Sequence, residues 1–481
     1  MSLDTFLGFL KTPWGMFLAV LFFGASIFVH ELGHFLAAKW RGLKIECFSI
    51  GFGPAIWRHK DRNGIEWKVC WLPLGGYVRL PQLGDMQGME GETETPEEML
   101  PPISYADKMY VSVMGAVFNI IFAFILAFIL WPSTDKIQVR DTATVIGYVE
   151  PTLKDAVTDT MVPSAATKAG LKPGDKILSV DGKKVEDFQD IMLGVIFGAG
   201  RSADGAPETV MEIERDDKAS TVILHPVLTS MDKVRTLGIE PYDRLVVGVL
   251  VKDNPAVLAG LLPDDEILKA DGIAYYSRTA FSTHVEKSAG KPIVLTVKRG
   301  TETMETTIAP KLIKPEGESK PRYILGIVWK PVFAEIHIAP WTRIWNNAQT
   351  MYRTVTALIT RHTNVGLNTL NGPLVIGDVL YTAAKLDFRT LINIVILINV
   401  NLAILNLMPI PVLDGGHMLI ATINRFSRRS ISKTFIRKVQ EGFALLLIGL
   451  MLYVSGRDVM RLFIKYNPPE TEERSVSEPA K

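Results

Sequence analysis

His30 and His34 stand four residues apart with Glu31 beside the first, in the run His30-Glu31-Leu32-Gly33-His34. On a helix this spacing puts both imidazoles on one face, so two ring nitrogens can converge on one zinc ion with Glu31 next to it as a general base. The chemistry open to such a group is hydrolysis by an activated water. With 8 histidines in 481 residues, chance placement is a weak explanation. The plainer reading is a helix with two satisfied polar residues. It fits poorly, because the motif extends an apolar run that begins at Trp14, and ionisable groups in a membrane span are costly and mark function.

Two histidines are one ligand short of a catalytic zinc site, which takes three protein ligands and keeps a fourth position open. A second polar constellation lies far along the chain, from Asn406 through Pro409 and Pro411 to Asp414-Gly415-Gly416-His417. Its prolines forbid a regular helix and its glycines let backbone approach closely, which predicts a break at membrane depth. Asp414 offers an anionic oxygen and His417 an imidazole, and spacing alone does not choose between them.

The elements that must carry these groups are mostly apolar. The chain is 48% hydrophobic with a net charge of +1, which gives no footprint for nucleic acid. Uncharged or nearly uncharged runs at Trp14–Ala38, Met109–Trp131 and Leu391–Ile410 are long enough to span a bilayer, the last carrying Asn399, Asn401 and Asn406. Phe443–Val454 is short and must borrow residues from its flanks to make a fourth span. The first run is read as a retained helix, since cleavage after it would discard part of the metal motif. Cations favour the cytoplasmic side of span ends. Lys39, Arg41, Lys44, Arg58, Lys60 and Arg62 follow the first run, and Arg425, Arg428, Arg429, Lys433, Arg437 and Lys438 precede the fourth. These clusters place the metal motif near the cytoplasmic face and send both termini and the long stretch between spans two and three outside. Cys47 and Cys70 then fall in a reducing compartment and are expected as free thiols.

Between Thr134 and Pro310 the composition becomes that of a globular domain, and it repeats. Gly170, Pro173, Asp181 and Gly182 recur as Gly260, Pro263, Asp271 and Gly272 at an offset of 90, while Val145-Ile-Gly147 matches Val246-Val-Gly248 at an offset of 101. Each copy reads as strands around a short helix and resembles a PDZ domain. Such a groove accepts a peptide as an added strand; the alternative is a pair of β-rich shields over the membrane core. In the first cytoplasmic loop, Ile65, Trp67, Val69 and Trp71 alternate with polar residues and lead through Pro73-Leu74-Gly75-Gly76 to Tyr77-Val78-Arg79-Leu80, a hairpin pattern with a glycine turn held against the membrane. Asp85–Glu98 reads as a mobile acidic loop, Trp341–Thr363 as an interfacial amphipathic helix, and Asn467–Lys481 as a disordered tail.

His-Glu-x-x-His in a first membrane helix, paired with Asn-x-x-Pro-x-Pro-x-Leu-Asp-Gly-Gly-His in a late one, resembles the site-2 protease family of intramembrane metalloproteases over nearly the whole chain. The resemblance implies Zn²⁺ held by His30, His34 and Asp414, with Glu31 activating water and His417 outside the ligand set. It also implies that Asn406 and the hairpin residues Gly75, Gly76, Tyr77 and Val78 hold the substrate strand. The expected fold is a multi-pass α-helical membrane protein of about four spans with two inserted extracytoplasmic PDZ-like α/β repeats and a membrane-associated β-hairpin. Its expected parts are a first transmembrane helix (1–40), a cytoplasmic loop with the hairpin (41–108), a second helix (109–132) and two PDZ-like domains (133–229 and 230–314). A linker with the interfacial helix (315–390), a third helix with the Asp-Gly motif (391–424), a cytoplasmic loop with the fourth helix (425–457) and a polar tail (458–481) follow. The implied setting is the bacterial inner membrane, with the repeats and both termini periplasmic. The implied activity is regulated intramembrane proteolysis of single-span proteins: a pre-trimmed anti-sigma factor of the envelope stress response, and remnant signal peptides. Partners are thus membrane-protein substrates, peptide segments at the repeats and the lipid bilayer, without nucleic acid. A membrane scaffold with a purely structural metal is the rival reading, and Glu31 speaks against it because a structural site needs no base.

Overall fold

The computed structural model describes residues 13–83, 100–230, 232–314, 321–427 and 431–466. The acidic stretch Asp85–Glu98 and the tail Asn467–Lys481 lie outside the described residues. Those described divide into two compact units, one within Met1–Ser133, His337–Tyr352 and Leu370–Pro469, the other within Thr134–Ile336 and Arg353–Thr369.

The first unit is helical around one small sheet. Its helices are α1 (Pro13–Trp40), α2 (Tyr105–Leu130), α3 (Pro340–Ile359, continuing past this unit), α4 (Pro373–Leu386), α5 (Phe388–Asn406), α6 (Asp414–Phe426) and α7 (Lys433–Tyr466). Val20–Trp40, Tyr105–Leu130, Phe388–Asn406 and Thr434–Lys465 are long and apolar enough to cross a membrane. The helix starts follow from local chemistry. The Ser104 hydroxyl accepts the Asp107 N–H at 3.0 Å to open α2, and the Asp387 carboxylate accepts the Arg389 N–H at 3.0 Å to open α5. Ala123, Leu126, Ala127 and Leu130 of α2 bury against Leu391, Ile392, Val395 and Ile396 of α5, the main apolar seam. A polar knot joins α1 to α5, where the buried Asn399 carboxamide donates to Ser26 Oγ at 2.9 Å and to the Val395 carbonyl at 2.8 Å.

Two readings of the sequence need correction here. The linker before the third span contains α4, whose Pro373 start is capped from afar. Asp458 of α7 accepts the Gly372 N–H at 3.0 Å and the Val375 N–H at 3.2 Å. Lys465 of α7 also pairs with Asp378 of α4 at 2.6 Å. Charges that read as the beginning of a polar tail thus extend the fourth helix to Tyr466, because α4 supplies their partners.

The second correction concerns the glycine turn. The sheet is made of β1 (Cys47–Lys60) and β2 (Glu66–Arg79), and the turn between them is at Asp61–Ile65, with Gly64 at φ +83°. Gly75 and Gly76 lie within β2. The segment 47–50 pairs on one side with 76–79 (Cys47↔Arg79 to Ile50↔Gly76) and on the other with 66–69 (Cys47↔Glu66 to Ile50↔Val69). The glycines therefore let β2 cross over and lay its end along the far edge of the sheet. Cys47 and Cys70 are buried free thiols.

The second unit holds two modules of one build. The sheet order is 218–224, 209–215, 176–180, 183–184 in the first and 302–308, 293–299, 266–270, 273–274 in the second. Each has its own apolar core and a helix over the sheet, Phe188–Ile196 or Arg278–Lys287. The same ion pair braces both. Arg215 Nε meets the buried Asp175 at 2.6 Å and Arg299 Nε meets the buried Asp265 at 2.8 Å, and each guanidinium also donates to the helix-end carbonyl of Gly170 or Gly260. Glu240 of the first module accepts hydroxyls from Ser277 at 2.8 Å and Thr279 at 3.0 Å, so it helps start the helix of the second. Arg235, fully buried, donates to the carbonyl of His362 at 3.1 Å and to Asn364 Oδ1 at 2.9 Å, and Arg201 grips the same two atoms. Burial, with Arg201 beside it, pushes the Arg235 guanidinium down to about 10.

Burial opposes the charged form of Asp265, but Arg299 and the Leu262 N–H outweigh it and hold its pKa below the usual carboxylate range. Stability from such a group is complete above the unfolded pKa of about 4 and is lost as pH falls through the lower folded value. Replacing Arg299 by Met is expected to lower the melting temperature of this unit at pH 7, with the deficit shrinking on acidification below pH ~4. A deficit independent of pH in thermal melts would remove the ion pair as its source.

Candidate metal centre

The helical spacing of α1 brings His30 and His34 together, with their Nε2 atoms 3.2 Å apart. Asp414 opens α6, and its Oδ2 lies 3.3 Å from each of those nitrogens. All three side chains are buried. A tetrahedral zinc with bonds of about 2.0–2.1 Å has ligand-to-ligand edges of about 3.3 Å, so the triangle is one face of that polyhedron. Asp414 Oδ2 is moreover a buried oxygen with no hydrogen-bond partner of ordinary geometry. A buried carboxylate oxygen aimed at two imidazole nitrogens fits a cation between them.

How the backbone permits this is visible at four glycines. A Cβ on Gly33 would lie 2.3 Å from the Met114 carbonyl oxygen, and one on Gly115 would lie 2.3 Å from His34 Nε2. Hence α1 and α2 cross in direct backbone contact with the imidazoles filling the space that a side chain on α2 would need. After Asn406 the chain leaves the helix, turns through Pro409 and Pro411, and re-enters as α6. A Cβ on Gly415 would sit 2.3 Å from the Leu407 carbonyl oxygen and one on Gly416 2.0 Å from that of Ile410, so only glycine allows the fold-back that delivers Asp414.

The outer nitrogens of the imidazoles are also held. His34 Nδ1 donates to the Val111 carbonyl at 2.9 Å, which turns Nε2 inward as a lone pair. The Asn119 amide lies 3.3 Å from His30 Nδ1, and its own oxygen is buried without a partner among the described residues. Turning that amide about lets its oxygen accept the Nδ1–H and frees His30 Nε2 in the same way.

Around the centre is a cavity of about 510 Å³ lined by both histidines, Glu31, Asp414, Asn406 and the β2 edge Gly76–Val78. Glu31 is buried beside the ligands, and β2 passes so close that a Cβ on Gly76 would come within 2.9 Å of Glu31 Cγ. Asn406 faces the His30 ring, with Nδ2 at 3.3 Å from Nε2. Of the residues singled out in the sequence, Gly76, Tyr77, Val78 and Asn406 line the cavity; Gly75, at φ +137°, shapes the strand and is not in the lining. His417 lines the cavity but is not in the triad of converging ligands. Sequence reasoning missed Gly115 and Asn119. Asn119 had a signal: it is a strongly polar residue in the uncharged run Met109–Trp131.

The sequence pattern of Peptidase family M50 matches residues 18–450. The chain is 30% identical over 472 residues to the regulator of sigma-E protease RseP of Salmonella typhimurium, covering 92% of this chain and 98% of that one. It is 29% identical over 471 residues to the Escherichia coli protein of the same name, with the same coverage. A Mesorhizobium japonicum protein named for zinc metalloprotease activity is 29% identical over 444 residues, 90% of this chain and 95% of that one. Among solved structures, a PDZ domain of a Listeria monocytogenes SdrC-like protein is 26% identical, covering 18% of this chain and 88% of that chain with a TM-score of 0.16.

Loss of the amide that orients a ligating imidazole should weaken metal binding without removing a ligand. Asn119→Leu is expected to lower zinc affinity about 10- to 100-fold in chelator competition. An unchanged competition midpoint would mean that Asn119 does not orient His30.

Proposed function

We propose, from the premise that this chain belongs to Peptidase family M50 and is a zinc metalloprotease, that His30, His34 and Asp414 hold the zinc and that Glu31 is the general base of intramembrane peptide-bond hydrolysis. The observation that carries the reading is the 3.2–3.3 Å triangle of ligand atoms beside a buried carboxylate, on helices apolar enough to span a bilayer. When bound, zinc supplies the Lewis acidity that makes water nucleophilic at neutral pH and polarises the scissile carbonyl.

The chain's own residues do the rest. Glu31 takes the proton from the attacking water and returns it to the leaving amine. Asp414 is committed to the metal and is not the base. The imidazoles are held in one tautomer by Val111 and Asn119, so neither swings away during turnover.

A substrate span hides its carbonyls in helical hydrogen bonds and must unwind before attack. Among the described residues the segment 76–79 of β2 pairs with 47–50 and borders the cavity, which supports strand addition by the freed substrate segment beside Glu31. Asn406, which faces the His30 ring and lines the same cavity, holds that segment at the cutting point.

The cation clusters favour an orientation with the zinc near the cytoplasmic face of the bacterial inner membrane and the two modules in the periplasm. The names of the relatives support a role in sigma-E regulation. In that role the substrate is a single-span anti-sigma factor already trimmed outside, and remnant signal peptides are a second class. The modules act as a size filter, and peptide capture in their grooves is the other use open to them.

Glu31→Gln should retain zinc and fold while cleavage of a single-span substrate with a short external stub falls about a hundred- to ten-thousandfold. Equal activity of the two proteins at matched zinc content overturns the role of Glu31. The filter has its own test. Asp135–Gln138 pairs with Phe333–Ile336, so the ends of the inserted segment are neighbours and a short linker can replace it. The shortened protein is expected to cleave a substrate whose external domain is intact; continued exclusion counts against the filter.

A further inference from the structure

One wall of the cavity comes from α7, through Gln440, Glu441, Ala444, Leu445 and Ile448, whose spacing is that of one helix face. Glu441 is paired with Arg437 at 3.6 Å. Gln440 is different. It is only 8% exposed, yet its carboxamide has no hydrogen-bond partner among the described residues. It lines the cavity. A carboxamide that lines a cavity with no protein partner is available to a polar group that enters it.

We propose that the Gln440 carboxamide binds the main chain of the unwound substrate segment, an inference that rests on the proteolytic reading above. An extended segment carries peptide N–H and C=O groups along both edges. Pairing with the 76–79 edge of β2 satisfies one of them. The other edge would meet Ala444, Leu445 and Ile448, and unpaired peptide groups against an apolar wall resist unwinding. Glutamine offers a donor and an acceptor on one planar group, so it can satisfy an N–H and a C=O of the segment together. Because it reads main chain, it helps any sequence that unwinds and selects none. The contact forms when the segment docks and persists through the reaction, so its effect falls on KM and leaves kcat in place.

The experiment uses the full-length zinc-loaded protein in lipid nanodiscs and a single-span substrate with a short external stub, prepared also as a series with single peptide bonds replaced by esters. Gln440→Met keeps length and burial but removes the hydrogen bonds. It is expected to raise KM roughly five- to tenfold with kcat and zinc content unchanged. One ester near the cleavage site should slow the wild type and add nothing to the variant. If Gln440→Met is thermally unstable, Gln440→Leu takes its place and the ester series decides. Wild-type kinetics in the variant, or one ester profile shared by both, overturns the proposal while cleavage by wild type and its loss in Glu31→Gln leave the proteolytic reading standing. A zinc-loaded wild type that cuts no substrate overturns both.

Discussion

Asp414 has to reach two histidines that lie hundreds of residues before it in the chain, inside an apolar layer where backbone cannot be left unpaired. The rest of the first unit answers that constraint. A helix must stop, reverse and restart without stranding its peptide groups, and it does so because Leu413 and Gly416 donate to carbonyls within the bend at 2.9 Å each. Glycines at 415 and 416 remove the side chains that would prevent the reversal. On the opposing helix, Gly115 removes the one that would displace His34. The ligand triangle is thus held as much by missing side chains as by those present.

What the sequence made legible was whatever depends on spacing along one element. The i and i+4 histidines, the proline break before Asp414 and the four apolar runs are local patterns, and α1, α2, α5, α6 and α7 follow them. What it concealed depends on partners distant in the chain. Asp458 and Lys465 looked like the beginning of a tail because α4, which they cap and pair with, is nearly ninety residues upstream. The Gly75-Gly76 pair looked like a turn because glycine pairs usually are. In the structure the pair lets a strand cross over toward Glu31, which no local rule would favour. Asn119 was visible as a polar residue in a span, but the ring nitrogen it serves belongs to another helix.

The modules show the same division. The repeated run around Gly170 and Gly260 exposes the short helix, the following strand and the aspartates of the braces, whereas the arginines that meet them lie beyond that run. The modules' contact through Glu240 and Ser277 has no counterpart in the repeat, and no periodicity announced it.

Duplicated modules record what folding demands and what has been free to diverge. Leu237 and Leu325 hold equivalent places, each accepting an N–H from the short helix of its module, which aligns Arg235 of the first copy with Tyr323 of the second. Tyr323 lies against Gly290, whereas Arg235 reaches out to the chain at His362 and Asn364. The two copies therefore differ in what they hold at this position. Arg235 and Arg201 of the first copy anchor the chain at His362 and Asn364, whereas the corresponding position of the second packs within its own module.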